Sequence, residues 1–345
     1  ALVTLPARAE IAADRFEAAQ LEAAEATLRV AAEARRSYYR AVAAREEARV
    51  LEQAAAAAEV AAKLARELGE TGAINRLDQA RDQLFHAEMA AKLTAARQNE
   101  ITERERLARA LGLWGDDLQF KLPSELPRLP QRPLSLPNVE RDAVEQRVDL
   151  EAGRKELSAL TKAMGLASST RLLNLFQLSA LGKITRENVG SDRVQFNEVG
   201  PGATIEAPIF DLGETRVRES EERWLEAVNL LAEKAVNVRS QAREAYSNYR
   251  AAHEIALRHQ REITPLHATI SEETLKRYNT MLVDVFALLE EARRRVLAAA
   301  ERVEARRNFW LAEVNLRGAI VGGGVFPAEE SDAKASAADK ASDYP

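Results

Sequence analysis

Two stretches of this chain repeat one another about 208 positions apart, and each has the pattern of two very long amphipathic helices. A helix that buries an apolar seam along a supercoiled partner repeats every seven residues. In the later stretch one such seam reads Val217, Trp224, Leu231, Val238, Ala245 and Ala252. At an offset of 208, the members from Trp224 onward fall on Phe16, Ala23, Val30, Ser37 and Ala44, continued by Leu51 and Ala58. The helices that follow behave alike: Leu282, Leu289, Val296, Val303 and Trp310 form a seam, and the last four land at an offset of 209 on Ala80, Ala87, Thr94 and Ile101. Local strings agree, with Ala34, Arg35 and Tyr38 opposite Ala242, Arg243 and Tyr246. The pattern predicts a duplicated long helical hairpin, a shape with few uses.

Composition narrows the class further. The chain has 345 residues, 30% of them charged and only 5% aromatic, which points to long helices rather than a thick globular core. A net charge of −5 with both signs interspersed gives no basis for binding a nucleic-acid backbone. There is no cysteine, so disulfides, thiolate metal sites and thiol nucleophiles are excluded. No window approaches the roughly 20 apolar residues of a membrane-spanning helix. The chain starts at Ala1 without a charged-then-apolar leader, which predicts a processed form or a fragment.

Along the chain, residues 9–67 read as one helix, about 90 Å long at 1.5 Å per residue. Gly69 and Gly72 supply a tight reversal. A second helix covers 75–111 and ends at Gly112 and Gly115. Pro123, Pro127, Pro130, Pro133 and Pro137 then define an extended linker, 123–137, between a first repeat (1–122) and a second (138–324). The second repeat opens with a helix over 138–166. Residues 168–210 read as a β-hairpin turning near Gly190 to Asp192. There Ala203, Ile205, Ala207 and Ile209 alternate with Thr204, Glu206, Pro208 and Phe210. A long helix follows over 214–264, with a kink expected at Pro265. The reversal falls near Asn279 and the return helix ends at Gly318. The tail, 325–345, has the composition of a disordered segment.

Catalytic chemistry finds no support in the residues. The four histidines, His86, His253, His259 and His267, show no i, i+4 ligand pair, so no metal site is expected, and no cofactor motif appears. Gly200-Pro201-Gly202 lacks the Lys-Ser/Thr of a phosphate loop and reads as a β-turn. The run Arg293 to Arg295 lies among Glu290, Glu291, Glu301 and Glu304, a mixed solvated face rather than a nucleic-acid patch.

The order of helix, β-hairpin, long helix, reversal and long helix, duplicated across a Pro-rich linker, resembles the TolC-type outer-membrane factors of tripartite efflux and type I secretion systems. Four strings carry the resemblance. Arg147-Val148-Asp149-Leu150 is similar to the family's Arg-Pro-Asp-Leu. Pro208, Phe210, Asp211 and Gly213 are similar to its strand-to-helix joint, Pro-Ile-Phe-Asp-x-Gly. Tyr278, Asp284, Leu288, Leu289 and Glu290 resemble the second periplasmic tip. Leu68 to Gly72, with Leu77 and Gln79 to Arg81, resemble the first. The departures are one hairpin where the family has two per protomer, a first repeat that enters near Pro6, and Met281 in place of the usual tip glycine.

The resemblance implies a mainly α fold of duplicated antiparallel helical hairpins, with the β-hairpin contributing to a trimeric outer-membrane β-barrel. It implies a homotrimer in outer-membrane lipid, with helices reaching into the periplasm. Such a protein is a passive exit duct rather than an enzyme, and a periplasmic adaptor and an inner-membrane pump open it. Adaptor contact would fall at Leu68, Gly69, Gly72, Tyr278 and Met281. The family's acidic pore-gate positions fall on Ala287 and Glu290; only Glu290 is charged, with Asp284 six residues earlier as a second candidate. The alternatives are a structural coiled coil and an adaptor-like scaffold without channel activity. The β-hairpin and its joint argue against the first, and the duplicated hairpin without flanking β halves argues against the second.

Overall fold

A computed structural model describes residues 4–72, 74–171, 176–189, 192–205 and 213–324. The tail 325–345, the Ala207 and Ile209 part of the expected hairpin, and Pro208, Phe210 and Asp211 of the joint lie outside these residues.

The described chain is α1 (Leu5–Glu70), α2 (Arg76–Leu111), a 3-10 turn (Gly115–Gln119), α3 (Val139–Gln146), α4 (Val148–Ser169), β1 (Phe176–Val189), β2 (Asp192–Ile205), α5 (Glu214–Arg258), a π-turn (His259–Ile263), α6 (Thr264–Asn279) and α7 (Val285–Val321). The duplication is visible in the element boundaries. From α1–α2 to α5–α7 the offset is 209 at the start and end of the long helix (5 to 214, 70 to 279) and at the start of the return helix (76 to 285). It is 210 at the return helix's end (111 to 321). The heptad seams of the long helices match at 208 instead. A π-turn, which inserts one residue into an α-helix, interrupts the later long helix at His259–Ile263.

Several boundaries differ from the sequence expectation. The expected 138–166 helix is two helices broken at Arg147, whose backbone is extended (φ −68°, ψ 119°). Arg147 at the break is buried, and its guanidinium donates to Gln241 Oε1 at 2.6 Å. The irregularity expected at Pro265 lies just before it. Proline has no N–H and its ring crowds the carbonyl four residues back, so the ladder slips by one residue upstream. The return helix continues to Val321 rather than ending at Gly318. Gly200-Pro201-Gly202 is not a turn but part of β2, paired with Leu181, Ala180 and Ser179. A two-stranded ladder leaves alternate N–H groups of each strand pointing away from the partner, and proline fits there. The hairpin register runs from Phe176↔Ile205 to Val189↔Asp192.

The chain divides into two compact units. The first comprises 1–23 and 148–236. Here α1 meets α4 through charged contacts: Asp14 accepts from Ser158 Oγ (2.8 Å) and pairs with Lys162 (2.6 Å), while Lys155 pairs with Glu17 (2.7 Å). The Lys162 and Ser158 hydrogen bonds hold the Asp14 carboxyl below its ordinary range. Helices α4 and α5 approach closely at Gly153, where a Cβ would lie 2.9 Å from the Leu231 side chain. Trp224 Nε1 donates to Thr161 Oγ1 at 3.0 Å.

The second unit comprises 24–147 and 237–345. Buried residues of α1 (Ala48, Leu51, Ala54, Ala55, Ala58), four of them alanine, face Phe85, Met89, Leu93 and Ala96 of α2 and Val296 of α7. Alanine on the facing side allows close helix approach, which is why an alanine-rich chain packs without many large residues. Leu122 and Leu126, from the linker region, join Val42, Ala43 and Val303 in a further cluster edged by Tyr38, Tyr39 and Trp310. The linker is pinned rather than free. His253 Nε2 contacts Pro130 O at 2.9 Å, Leu134 N donates to Tyr249 Oη at 3.1 Å, Leu136 N donates to Tyr246 Oη at 3.3 Å, and Trp310 Nε1 donates to Pro127 O at 3.2 Å.

Candidate functional site

The two helix reversals share one hydrogen-bond plan at the 209-residue offset. In the first, Thr71 N donates to Glu67 O (3.3 Å), Gly72 N to Gly69 O (3.1 Å) and Thr71 Oγ1 to Leu68 O (2.9 Å). In the second, Thr280 N donates to Lys276 O (3.2 Å), Met281 N to Tyr278 O (2.9 Å) and Thr280 Oγ1 to Arg277 O (3.0 Å). Each return helix then opens on a side-chain cap: Asn75 Oδ1 accepts from Asp78 N, and Asp284 Oδ1 accepts from Ala287 N, both at 2.9 Å. Such a cap satisfies one of the four N–H groups a helix start leaves without a partner.

The plan requires a left-handed residue at one position. Gly72 takes it with φ 74° and Met281 with φ 58°, the only non-glycine residue with positive φ among the described residues. A side chain in this conformation costs about 1–2 kcal/mol. Met281 gains nothing visible in return, since it is 93% exposed. Met281→Gly is therefore expected to raise stability by about 0.5–1 kcal/mol, the remainder being lost to the freer unfolded chain. A fall in melting temperature would show that the methionine makes a stabilising contact.

The tips also expose apolar surface: Leu68, Leu282 and Met281 are all solvent-facing. Gly69 lies in the last turn of α1, where a Cβ would lie 3.0 Å from the end of the Gln79 side chain of α2. Tyr278 is half-buried in the last turn of α6. Of the strand-to-helix joint, Gly213 is described. It is left-handed (φ 78°), and a Cβ would meet Arg171 O at 3.1 Å.

The gate candidates have distinct local roles. Asp284 caps α7 and is the counterpart of Asn75. Glu290 is half-buried on α7 and pairs with Arg294 one turn later, Oε1 to Nε 3.3 Å. The two are on one helix but share no contact. The caps were readable in the sequence, because Asn or Asp just before a helical run is an N-terminal signal. Glu46, Asp82 and Glu291, three of the six buried carboxylates among the described residues, carry no such signal. Among the described residues there is no cluster of metal-ligating side chains and no helix long and apolar enough to cross a membrane.

Comparison with protein-family models finds no match, and neither does comparison with curated protein sequences. Solved structures do match. The Campylobacter jejuni CmeC outer membrane channel is similar at 18% identity and a TM-score of 0.73, covering 91% of this chain and 67% of its own. The open-state MtrE outer membrane channel of Neisseria gonorrhoeae gives 14% and 0.73, covering 92% and 72%. The outer membrane protein VceC of Vibrio cholerae gives 15% and 0.72, covering 92% and 76%. Through these likenesses, over nine-tenths of its length, the chain has the fold of the TolC-type outer-membrane channels.

Proposed function

We propose that this chain is a protomer of an outer-membrane channel, a homotrimeric passive exit duct of a tripartite efflux or type I secretion system. Its two repeats, 1–122 and 138–324, extend as helices into the periplasm, and a periplasmic adaptor and an inner-membrane pump open it. It performs no covalent chemistry. The observation that carries the reading is the duplicated helix pair, matched down to its turn hydrogen bonds and joined to a long antiparallel hairpin in the fold of solved outer-membrane channels.

Two physical features support it. Each strand has 14 residues, more than the roughly 9–11 that a tilted strand needs to cross a bilayer. A two-stranded ribbon also leaves unpaired N–H and C=O groups along its outer edges, and further strands in a closed barrel would satisfy them. Along the helices, Val30, Val60, Leu64, Leu84, Ile101, Val236 and Ile255 are exposed, which suits lateral neighbours.

In this reading the tips around Leu68, Gly69 and Gly72, and around Tyr278 and Met281, receive the adaptor, and Glu290 lines the pore. Like charges gathered around a threefold axis bind cations in a confined pore. Glu290→Gln in the full-length protein is expected to lower cation preference and alter single-channel conductance in a planar bilayer, leaving the trimer intact. Arg294 holds one Glu290 oxygen, so Arg294→Gln should shift selectivity the opposite way. Identical conductance and selectivity in both variants would remove Glu290 from the gate, and absence of any conductance from the native protein would overturn the channel reading.

A further inference from the structure

Near its start, each of the helices α2 and α7 buries a carboxylate at the same place. Asp82 is 4% exposed and Glu291 is 7% exposed. Each lies six residues after the first residue of its helix, and the two are 209 apart, the offset that relates the hairpins. Their surroundings differ. Glu291 Oε1 accepts from Ser271 Oγ on α6 at 3.3 Å and lies 3.6 Å from His267 Nδ1 on the same helix. At the 209 offset, the positions of His267 and Ser271 are occupied on α1 by Ala58 and Ala62, both buried. Asp82 Oδ1 is buried with no hydrogen-bond partner among the described residues. Burial, and then the neighbouring Asp78 charge, push its carboxyl above the ordinary range.

His267 Nδ1 is also buried without a hydrogen bond. A neutral imidazole carries a proton on one ring nitrogen, and a protonated one on both. Other charged groups nearby are Glu290 with Arg294, Arg293 with Glu88 of α2 (3.2 Å), Lys276 with Glu272 and Glu273 on α6, Asp78 with Arg81 on α2, Lys63 with Glu59 on α1, and His86, one turn after Asp82 and within electrostatic reach of Glu59. The Glu88–Arg293 pair ties α2 to α7 close to both carboxylates.

We propose that Asp82 and the His267–Glu291–Ser271 group make the reversal ends of both helical hairpins proton-responsive, so that protonation tightens both. The signs agree. The charged Asp82 carboxylate destabilises the folded hairpin at neutral pH, and this is relieved as pH falls through its raised pKa. The 3.6 Å contact of His267 with Glu291 is an ion pair only where the imidazole carries a proton on both ring nitrogens. The duplication thus places two different chemistries at one position, with the same response to protons. The inference concerns the hairpins themselves and holds whether or not the chain forms a channel.

Amide hydrogen exchange of the full-length protein, compared at about pH 7.5 and about pH 4.5 and corrected for intrinsic rates, tests it. Protection of residues 76–90 and 264–295 is expected to rise about fivefold in acid, the effect of one weak ion pair or of one relieved buried charge. His267→Gln and Glu291→Gln should each abolish the rise in 264–295 and leave it in 76–90. Asp82→Asn should give high protection of 76–90 at both pH values. Equal protection of the native protein at both pH values overturns the proposal. So does a rise that survives in the Asp82→Asn/His267→Gln double variant.

Discussion

Glu46→Ala is expected to cost about 3–5 kcal/mol of folding stability, because it strands a charge in a site that water does not reach. Glu46 lies on α1 and is 1% exposed. One of its oxygens accepts from Leu126 N of the linker at 2.9 Å, and the other pairs with Arg306 of α7 at 3.0 Å. Arg306 in turn donates to Leu126 O and, at 3.3 Å, to Pro127 O. The carboxylate therefore fastens three segments distant in sequence. Removing it leaves the Leu126 amide without its acceptor and the Arg306 guanidinium without its counter-ion, held only by the Leu126 and Pro127 carbonyls. Glu46→Gln keeps an acceptor for the amide and loses only the charge, so it should cost less. Denaturant unfolding followed by tryptophan fluorescence separates the two variants. A loss below about 1 kcal/mol for the alanine variant would mean that water replaces the carboxylate at low cost.

Phe309→Ala should produce a comparable loss, about 3–5 kcal/mol, for an apolar reason. Phe309 is 1% exposed on α7, and its ring lies 5.4 Å from Tyr249, 5.5 Å from His253 and 5.1 Å from Trp310, centroid to centroid. Trp310 stacks in turn on Tyr39 at 5.3 Å. The neighbouring rings are tethered by hydrogen bonds, Tyr249 to Leu134 N, His253 to Pro130 O and Trp310 to Pro127 O. They cannot collapse freely into the space a phenyl leaves, so the cavity term stays large. Phe309→Leu refills part of that space and should recover about half of the loss. Thermal melting of the three proteins is the check, and equal melting temperatures for the native and alanine forms would exclude a rigid aromatic core at this place.

Much of this molecule was legible residue by residue. The seven-residue seams, the absence of Pro and Gly from 9–67, and the glycines at 69, 72 and 112 located α1 and α2 within a few residues of where they lie. The two-residue alternation located a hairpin turning between Val189 and Asp192. These features depend on neighbours along the chain, on backbone freedom and on periodic burial, and those are written locally. The reversal at Gly69 and Gly72 followed too, because glycine marks a left-handed turn, whereas the left-handed Met281 at the matching place in the second reversal carries no such mark.

What the sequence left open depends on groups that meet across long intervals. Arg147 at the helix break donates to Gln241, and Glu46 is worth burying because Leu126 and Arg306 arrive beside it. The Pro-rich segment reads as a free linker until its carbonyls and amides find Trp310, His253, Tyr249 and Tyr246. Asp82 and Glu291 look like any solvated carboxylates on a charged helix, and only packing decides that both are buried and that one alone has a histidine beside it. Periodicity fixes which face of a helix is covered. It does not say which side chain waits on the other side, and the cost of a buried charge depends on that partner.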